Sequence, residues 1–255
     1  MADSFSLRAA LAPVWRGDAY YAKREGGPPA EHDPDGRVRS MHSDEEARRW
    51  AAERSDILAW LPYGCTVYDL GCGDGKLKHV RPDLRVTGWD PDYAAGEVAR
   101  KRGCWWAQTI GNSDDEPFER GPFDALWCCH VVEHMADPLT DLAAGIAAVR
   151  PGGLVIVETP DFGSPVALEW GERFRLLHDP THISLFTAES LMRMLRALNV
   201  EILEVAFPGY FGTPLERRCH ELRRHTTLHE DGSTSQALVS PPAPGNVVAV
   251  RGRKR

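Results

Sequence analysis

The sequence predicts an α/β protein organised on a parallel sheet with helices on both faces. Three observations carry the prediction. Short strands alternate with helical segments between residues 43 and 160. Each strand is a nearly unbroken apolar run, as expected where both faces of a sheet are buried. The first strand, in VYDLGCGDGKL from Val67 to Leu77, opens into a turn with glycines at 71, 73 and 75. Lacking a Cβ, glycine lets the backbone bend sharply and approach a ligand closely, so a bulky ligand is expected on this turn.

Met1 to about His42 lacks apolar periodicity and holds the turn-formers REGGPPAEHDPDG, which suits an arm or a lid. Ser43 with Glu46 forms a capping box, and Ala47, Trp50, Ala51, Ile57, Leu58 and Leu61 recur near helical spacing, predicting a helix from Asp44 to about Trp60. After the glycine turn come a short helix from Lys76, a strand from Arg85 to Asp90, a helix from Tyr93 to Arg102, a strand CWWAQTI and a strand PFDALWCCH ending at His130. A helix from Asp137 to Val149 leads through the turn RPGG into the strand LVIVET. Thr187 caps AESLMRMLRAL, and VEILEVAF is the next strand. PLERRCHELRRH reads as a basic helix from Pro214, residues 226–245 as a loop, and NVVAVRG as the last strand. No repeat and no second core is visible. The expected organisation is an arm or lid over 1–42 and one domain over 43–255, with cap inserts at about 160–185 and 208–245.

With 255 residues, 42% hydrophobic and 26% charged, the chain has the composition of a globular protein with ample length for a core. A formal charge of −7 argues against a partner recognised by bulk positive charge, whether nucleic acid or anionic membrane. The local exception, the ending RGRKR, reads as a solvated terminus. The absence of a long apolar run and of a secretory pattern predicts a cytoplasmic protein. The six cysteines have no C-x-x-C pair and indicate neither a zinc ribbon nor a disulfide framework.

Ligands in such sheets bind beyond the carboxyl ends of the strands. There the sequence places Asp69 and the glycines, then Asp90, then Gly111 to Asp114, then His130 to His134. A carboxylate at the end of the second strand, about 20 residues after a glycine turn, suits a ribose diol. That pairing alone fits a nicotinamide, flavin or S-adenosyl cofactor. The order Gly71-Cys72-Gly73-Asp74-Gly75 is not G-x-G-x-x-G, and an acidic Asp74 is a poor neighbour for a diphosphate but not for a cationic sulfonium.

VYDLGCGDG, GWDPD, PFDALWCCHVVEHMADP and RPGGLVIVETP, in this order and at these separations, resemble the class I S-adenosylmethionine-dependent methyltransferases. The resemblance covers about Val67 to Pro160. It implies a Rossmann-like seven-stranded sheet with the last strand antiparallel, and S-adenosylmethionine as cofactor. It places Gly71, Cys72 and Gly73 against the methionine part with Asp69 nearby, Asp90 on the ribose hydroxyls, and Pro91 or Asp92 beside the adenine. Asn112 or Ser113 would take the adenine amino group, where the family often has an acidic residue, and His130 borders the cofactor.

HVVEH also matches H-x-x-E-H, a zinc-peptidase pattern that needs both histidines on one helix. The apolar strand running into His130 and the Ala136-Asp137-Pro138 that follows predict a strand end and loop instead. The segment is similar to the E-x-x-E-H of ubiquinone-pathway and small-RNA end methyltransferases, where it helps hold a divalent ion with a later histidine. His182 stands in that later position, but His130 replaces the first carboxylate. A metal at His130, Glu133, His134 and His182 is therefore an option and not the expectation. The expected catalytic set is His130, Glu133, His134 and His182, with an imidazole taking the proton of an alcohol acceptor. His178 reads as satisfying loop backbone, and Trp105 and Trp106 as core. HDPTHISLFTAESL resembles methyltransferases of glycan and natural-product pathways, so the expected acceptor is a small molecule methylated on oxygen. Nucleic-acid methylation, favoured only by RRCHELRRH and RGRKR, and a non-catalytic cofactor-binding module are the alternatives; a homodimer is compatible with the sequence.

Overall fold

The computed structural model describes residues 30–32, 38–40, 42–107, 120–179, 181–208, 223–228, 234–239 and 246–255. Its centre is a seven-stranded sheet of β1 (Thr66–Leu70), β2 (Arg85–Trp89), β3 (Trp105–Ala107), β4 (Phe123–Cys129), β5 (Val149–Pro160), β6 (Val200–Ala206) and β7 (Val247–Lys254). The spatial order is β3-β2-β1-β4-β5-β7-β6, with β1 to β5 mutually parallel. β7 slots between β5 and β6 and runs antiparallel to both, the seven-stranded arrangement that the resemblance implied. At Gly252, where the pairing of β7 with β6 shifts register, a Cβ would lie 2.2 Å from Cγ1 of Val200, so glycine is what lets the two strands lie this close side by side.

The helices are α1 (Asp44–Glu53), α2 (Ser55–Leu58), α3 (Lys76–Val80), α4 (Tyr93–Lys101), α5 (Pro138–Ala147), α6 (Pro165–Trp170) and α7 (Ala188–Ala197). Caps fix their starts: the side chains of Ser43, Asp92, Asp137, Ser164 and Thr187 each accept a backbone N–H of the first turn. One core layer joins Tyr68, Leu70, Leu126, Val155 and Val157 to Leu142, Leu191 and Leu195. The other joins Val67, Val86, Trp127 and Ile156 to Ile57, Leu58 and Leu77. Strand residues alternate between the two, which is why the runs are apolar at nearly every position. Among the described residues no helix is long and apolar enough to cross a membrane.

Five expectations need correction. The helix from Asp44 does not continue to Trp60: it breaks at Arg54, whose side chain turns inward to Glu158. RPGG is not a turn outside the strand, since β5 runs through it with a register shift against β4 and Gly152 at φ +75°. Residues 226–245 are not wholly loop: Arg223–Leu228 and Thr234–Val239 pair as an antiparallel hairpin. The last three residues of the expected basic helix therefore lie in a strand; the rest of it, Asn112 and Ser113 lie outside the described residues. The final basic residues are not simply solvated, because β7 runs to Lys254, whose ammonium donates to the carbonyls of Ala147 and Val149. In the first 42 residues, Ala30–His32 and Val38–Ser40 form a short antiparallel pair.

Candidate active site

The glycine turn is stitched to the next strand at once: the N–H groups of Gly71 and Cys72 both donate to the Trp89 carbonyl, at 2.8 and 3.0 Å. Gly71, Gly73 and Gly75 have φ of +77°, +50° and +75°, a region that L side chains rarely adopt. Their surroundings differ. A Cβ at Gly71 would meet Cγ2 of Val131 at 2.2 Å, and one at Gly75 would meet Cα of Ala99 at 2.9 Å, whereas around Gly73 nothing lies within 4 Å. Packing requires the outer two glycines; the middle one faces open space, as a cofactor cradle should.

Asp90, at the end of β2, closes this cradle. Its Oδ2 accepts from the Gly73 N–H at 2.7 Å and its Oδ1 from the Asp92 N–H at 2.9 Å. Burial pushes its carboxyl up to about 6, against the pull of those two donors. Two oxygens have about four acceptor sites between them, so two remain for a diol. The Trp106 indole N–H donates to the Asp90 carbonyl at 3.0 Å, and Trp106 packs under α4 at Gly96. Asp69 is also buried, and among the described residues no hydrogen bond eases it; burial, with Asp90 and Asp74 adding repulsion, pushes its carboxyl up to about 8. A buried carboxyl without a donor, beside an open glycine cradle, fits a cationic amino or sulfonium group. Asp92 is occupied as the N-cap of α4, accepting from Ala95 N–H at 3.1 Å, and Pro91 is half-buried beside it.

Asp74 does not present its charge to the cradle. Its carboxylate is 3% exposed and lies 2.8 Å from Arg102, 3.0 Å from His42 and 3.3 Å from Lys76. The sequence argument that its charge selects against a diphosphate therefore fails, although the cofactor it favoured stands on other grounds.

At the ends of β4 and β5 lies a second constellation. His130 has φ +56°, which costs a non-glycine residue about 1–2 kcal/mol. Its ring is clamped: Nδ1 donates to Oε1 of Glu133 at 3.0 Å, and Nε2 lies 3.0 Å from Oε1 of Glu158, an ion-pair distance without the alignment of a straight hydrogen bond. Burial opposes the charge, but the two carboxylates outweigh it and push the imidazole up to about 10. His130 is thus an imidazolium and not a base at neutral pH. Glu158, buried at 1%, also accepts from Arg54 at 2.7 Å; despite burial, Arg54 and His130 hold it at about 2. Glu133 is fully buried, its other oxygen accepts from the Thr159 hydroxyl at 2.9 Å, and the bond from His130 holds its carboxyl below the usual range against burial.

His134 and His182 stand apart from that clamp and face each other, ring centroids 4.9 Å apart. Nδ1 of His134 donates to the Thr181 carbonyl at 3.0 Å and Nδ1 of His182 to the Leu176 carbonyl at 2.8 Å. Each bond makes Nδ1 the donor nitrogen, and Nε2 of His182 lies 3.7 Å from Oδ2 of Asp179. Burial pushes the His182 imidazole down, with Asp179 and Glu133 opposing, so the ring is neutral at pH 7. The insert bearing His182 is tied to the β4 loop because Ile183 and Ser184 both donate N–H to the Glu133 carbonyl, at 3.0 and 2.9 Å. Single ligand atoms of Glu133, His134 and His182 converge within 4.8 Å. One carboxylate with two imidazoles of fixed tautomer is a donor set that a zinc- or iron-class ion accepts; His130, spent between two glutamates, is not part of it. His178 donates from Nε2 to the Glu172 carbonyl, as expected of a loop histidine.

The structure therefore gathers Asp69, Gly71, Cys72, Gly73 and Asp90 in one group and His130, Glu133, His134 and His182 in another. Sequence reasoning missed Arg54, Glu158, Thr159, Trp106 and Arg102. Of these only Glu158 left a signal, an acidic residue near the carboxyl end of an otherwise apolar strand.

Residues 41–205 match the model of a family described as a methyltransferase domain. The ubiquinone biosynthesis O-methyltransferase of Vibrio parahaemolyticus is 30% identical over 135 residues, 50% of this chain and 56% of that protein. The tRNA (carboxymethyluridine(34)-5-O)-methyltransferase of Xenopus tropicalis is 33% identical over 105 residues, 40% of this chain and 16% of that protein. The chain thus spans little more than half of the first relative and a small part of the second. Among solved structures, the subunit bound to the Trm112 methyltransferase activator of Haloferax volcanii aligns with a TM-score of 0.58 at 18% identity, over 84% of this chain and 95% of that one, a likeness of fold. With the family model covering more than half of the sequence, the chain belongs to the S-adenosylmethionine-dependent methyltransferases.

Proposed function

We propose that this protein moves a methyl group from S-adenosylmethionine to a hydroxyl oxygen of a small, sugar-containing or natural-product acceptor, with the His134–His182 pair receiving the hydroxyl proton. The observation that supports this most is the pair itself: two imidazoles with Nδ1 tied to backbone carbonyls, His182 held neutral, and the ionised Glu133 beside them. The transfer is an in-line displacement. Bound S-adenosylmethionine would supply an electrophilic methyl group and leave as a neutral thioether, and Nε2 of the pair would take the hydroxyl proton as the acceptor oxygen gains the methyl. The buried Glu133 carboxylate favours the imidazolium so formed. The O-methylating relatives support oxygen as the acceptor atom.

With [methyl-labelled] cofactor and a panel of catechols, phenols and glycosides, the alanine variants of His134 and His182 are each expected to lose about 10²–10⁴ in turnover, the usual worth of a positioned acid–base group. Cofactor affinity by calorimetry should be unchanged. Full turnover in both variants would place the proton acceptor elsewhere.

The convergence of Glu133, His134 and His182 supports a second reading, in which these three hold a divalent transition ion that acidifies the acceptor hydroxyl. Elemental analysis of the purified protein and assay after chelation separate the two. On the first reading the metal content is far below one per chain and a chelator changes nothing; on the second, stripping abolishes turnover and one added metal restores it. Methylation of RNA is the alternative that the tRNA-methylating relative supports, while the basic ending adds little to it, since Arg251 is paired with Glu204 and Lys254 with backbone carbonyls. Absence of RNA binding at low salt would dispose of it. Cofactor binding without turnover on any acceptor would favour a non-catalytic module.

A further inference from the structure

We propose that Arg102, acting through Asp74 and His42, is a positioning residue for the cofactor, fixing from behind the glycine turn on which S-adenosylmethionine sits; this rests on the cofactor reading above. Asp74 stands between Gly73 and Gly75. The guanidinium of Arg102 lies 2.8 Å from its carboxylate, donates to its backbone carbonyl at 3.1 Å and donates to the His42 carbonyl at 2.8 Å. His42 returns to the same carboxylate through Nδ1 at 3.0 Å. The groups enclose one another: Arg102 is 8% and Asp74 3% exposed. Asp44, 3.7 Å from Arg102, and Lys76, 3.3 Å from Asp74, complete the charges facing the cluster.

The helix that carries Arg102 is also the one that touches the turn. Ala99 and Arg102 lie three residues apart and so share a helix face. Ala99 leaves no room for a Cβ on Gly75, and Arg102, just past the last turn of α4, reaches Asp74. On the opposite side the Gly73 N–H donates to Asp90. Three glycines in five residues, all at positive φ, make a segment with many alternative conformations. Held only at its start by the Trp89 carbonyl and in its middle by Asp90, the second half of the turn would have to be ordered at the expense of cofactor binding; gripped also by Arg102 it is ordered beforehand, and preorganisation appears as affinity.

Calorimetry with S-adenosylmethionine tests this in the full chain, at a low temperature where circular dichroism shows each variant folded. Arg102→Ala is expected to raise Kd at least about tenfold, and Arg102→Lys to recover part of the loss, since an ammonium restores the charge but not the fork that reaches two carbonyls. Arg81→Ala is the control. Arg81 makes a similar clamp elsewhere, to Asp83 and the carbonyls of Leu58 and Leu61, so its loss should lower Tm and leave Kd unchanged. A folded Arg102→Ala protein with the wild-type Kd overturns the proposal, and so does an equal weakening by Arg81→Ala. If Arg102→Ala does not fold, the isosteric Asp74→Asn carries the test: a severalfold rise in Kd supports the clamp and an unchanged Kd overturns it. Failure of the cofactor reading itself looks different, because the wild-type protein would then give no binding heat.

Discussion

Asp90→Ala is expected to raise the Kd for S-adenosylmethionine at least about 100-fold, as judged by calorimetry. The carboxylate would make two charge-assisted hydrogen bonds to the ribose diol, each worth about 1.5–3 kcal/mol where donor or acceptor is charged. It does more than meet the ligand. Its two oxygens hold the N–H groups of Gly73 and Asp92, so its removal also frees the middle of the glycine turn and the start of α4. Asp90→Asn keeps one acceptor and should fall between. An alanine variant with unchanged affinity would mean that the cofactor lies elsewhere.

Cofactor binding is also expected to release a proton and to tighten as pH rises from 6 to 8. Without ligand the Asp69 carboxyl is pushed up to about 8, first by burial and then by Asp90 and Asp74, and is therefore mostly protonated at pH 7. A cationic cofactor favours the ionised form, so binding drives the proton off, and Kd falls by up to about tenfold per pH unit below 8. Above 8 the gain ends because Asp69 is already ionised. The sign for stability is opposite. The folded, unliganded protein binds this proton more tightly than the unfolded chain, so its contribution to stability is full near pH 4 and is lost as pH climbs through 8. Calorimetry in buffers of different ionisation enthalpy counts the protons released. Asp69→Asn should abolish the slope between pH 7 and 8, above the range in which Asp90 titrates; proton uptake on binding there, or a slope over that range that survives in the variant, would refute the account.

The grouping of the glycine turn with Asp90 was legible because it is local. Gly71 to Gly75 and Asp90 follow directly on apolar strands, and in a parallel sheet the carboxyl ends of neighbouring strands meet. Asp74 shows the limit of that reasoning. Its place between two glycines suggested a charge facing the ligand, but Arg102, 28 residues later, and His42, 32 residues earlier, turn it to another use. The helix from Asp44 misled in the same way. Apolar periodicity continues past residue 54, yet the helix breaks there, where Arg54 turns inward to a carboxylate 104 residues away.

Histidine roles divide along the same line. HVVEH showed three residues able to do proton or metal chemistry, and nothing in their order separates His130 from His134. Glu158 makes the difference: with Glu133 it turns His130 into a clamped cation, while the Thr181 carbonyl holds Nδ1 of His134 and its ring meets His182.

By itself the sequence determined the strand–helix alternation, the glycine turn, the antiparallel last strand through its family resemblance, and the acidic residue that closes the cofactor cradle. These depend on period, turn chemistry and capping, which act over a few residues. Tertiary structure decided which charges are spent on one another and which remain for a ligand, because an ionisable side chain takes its role from the partners and burial that distant segments bring to it.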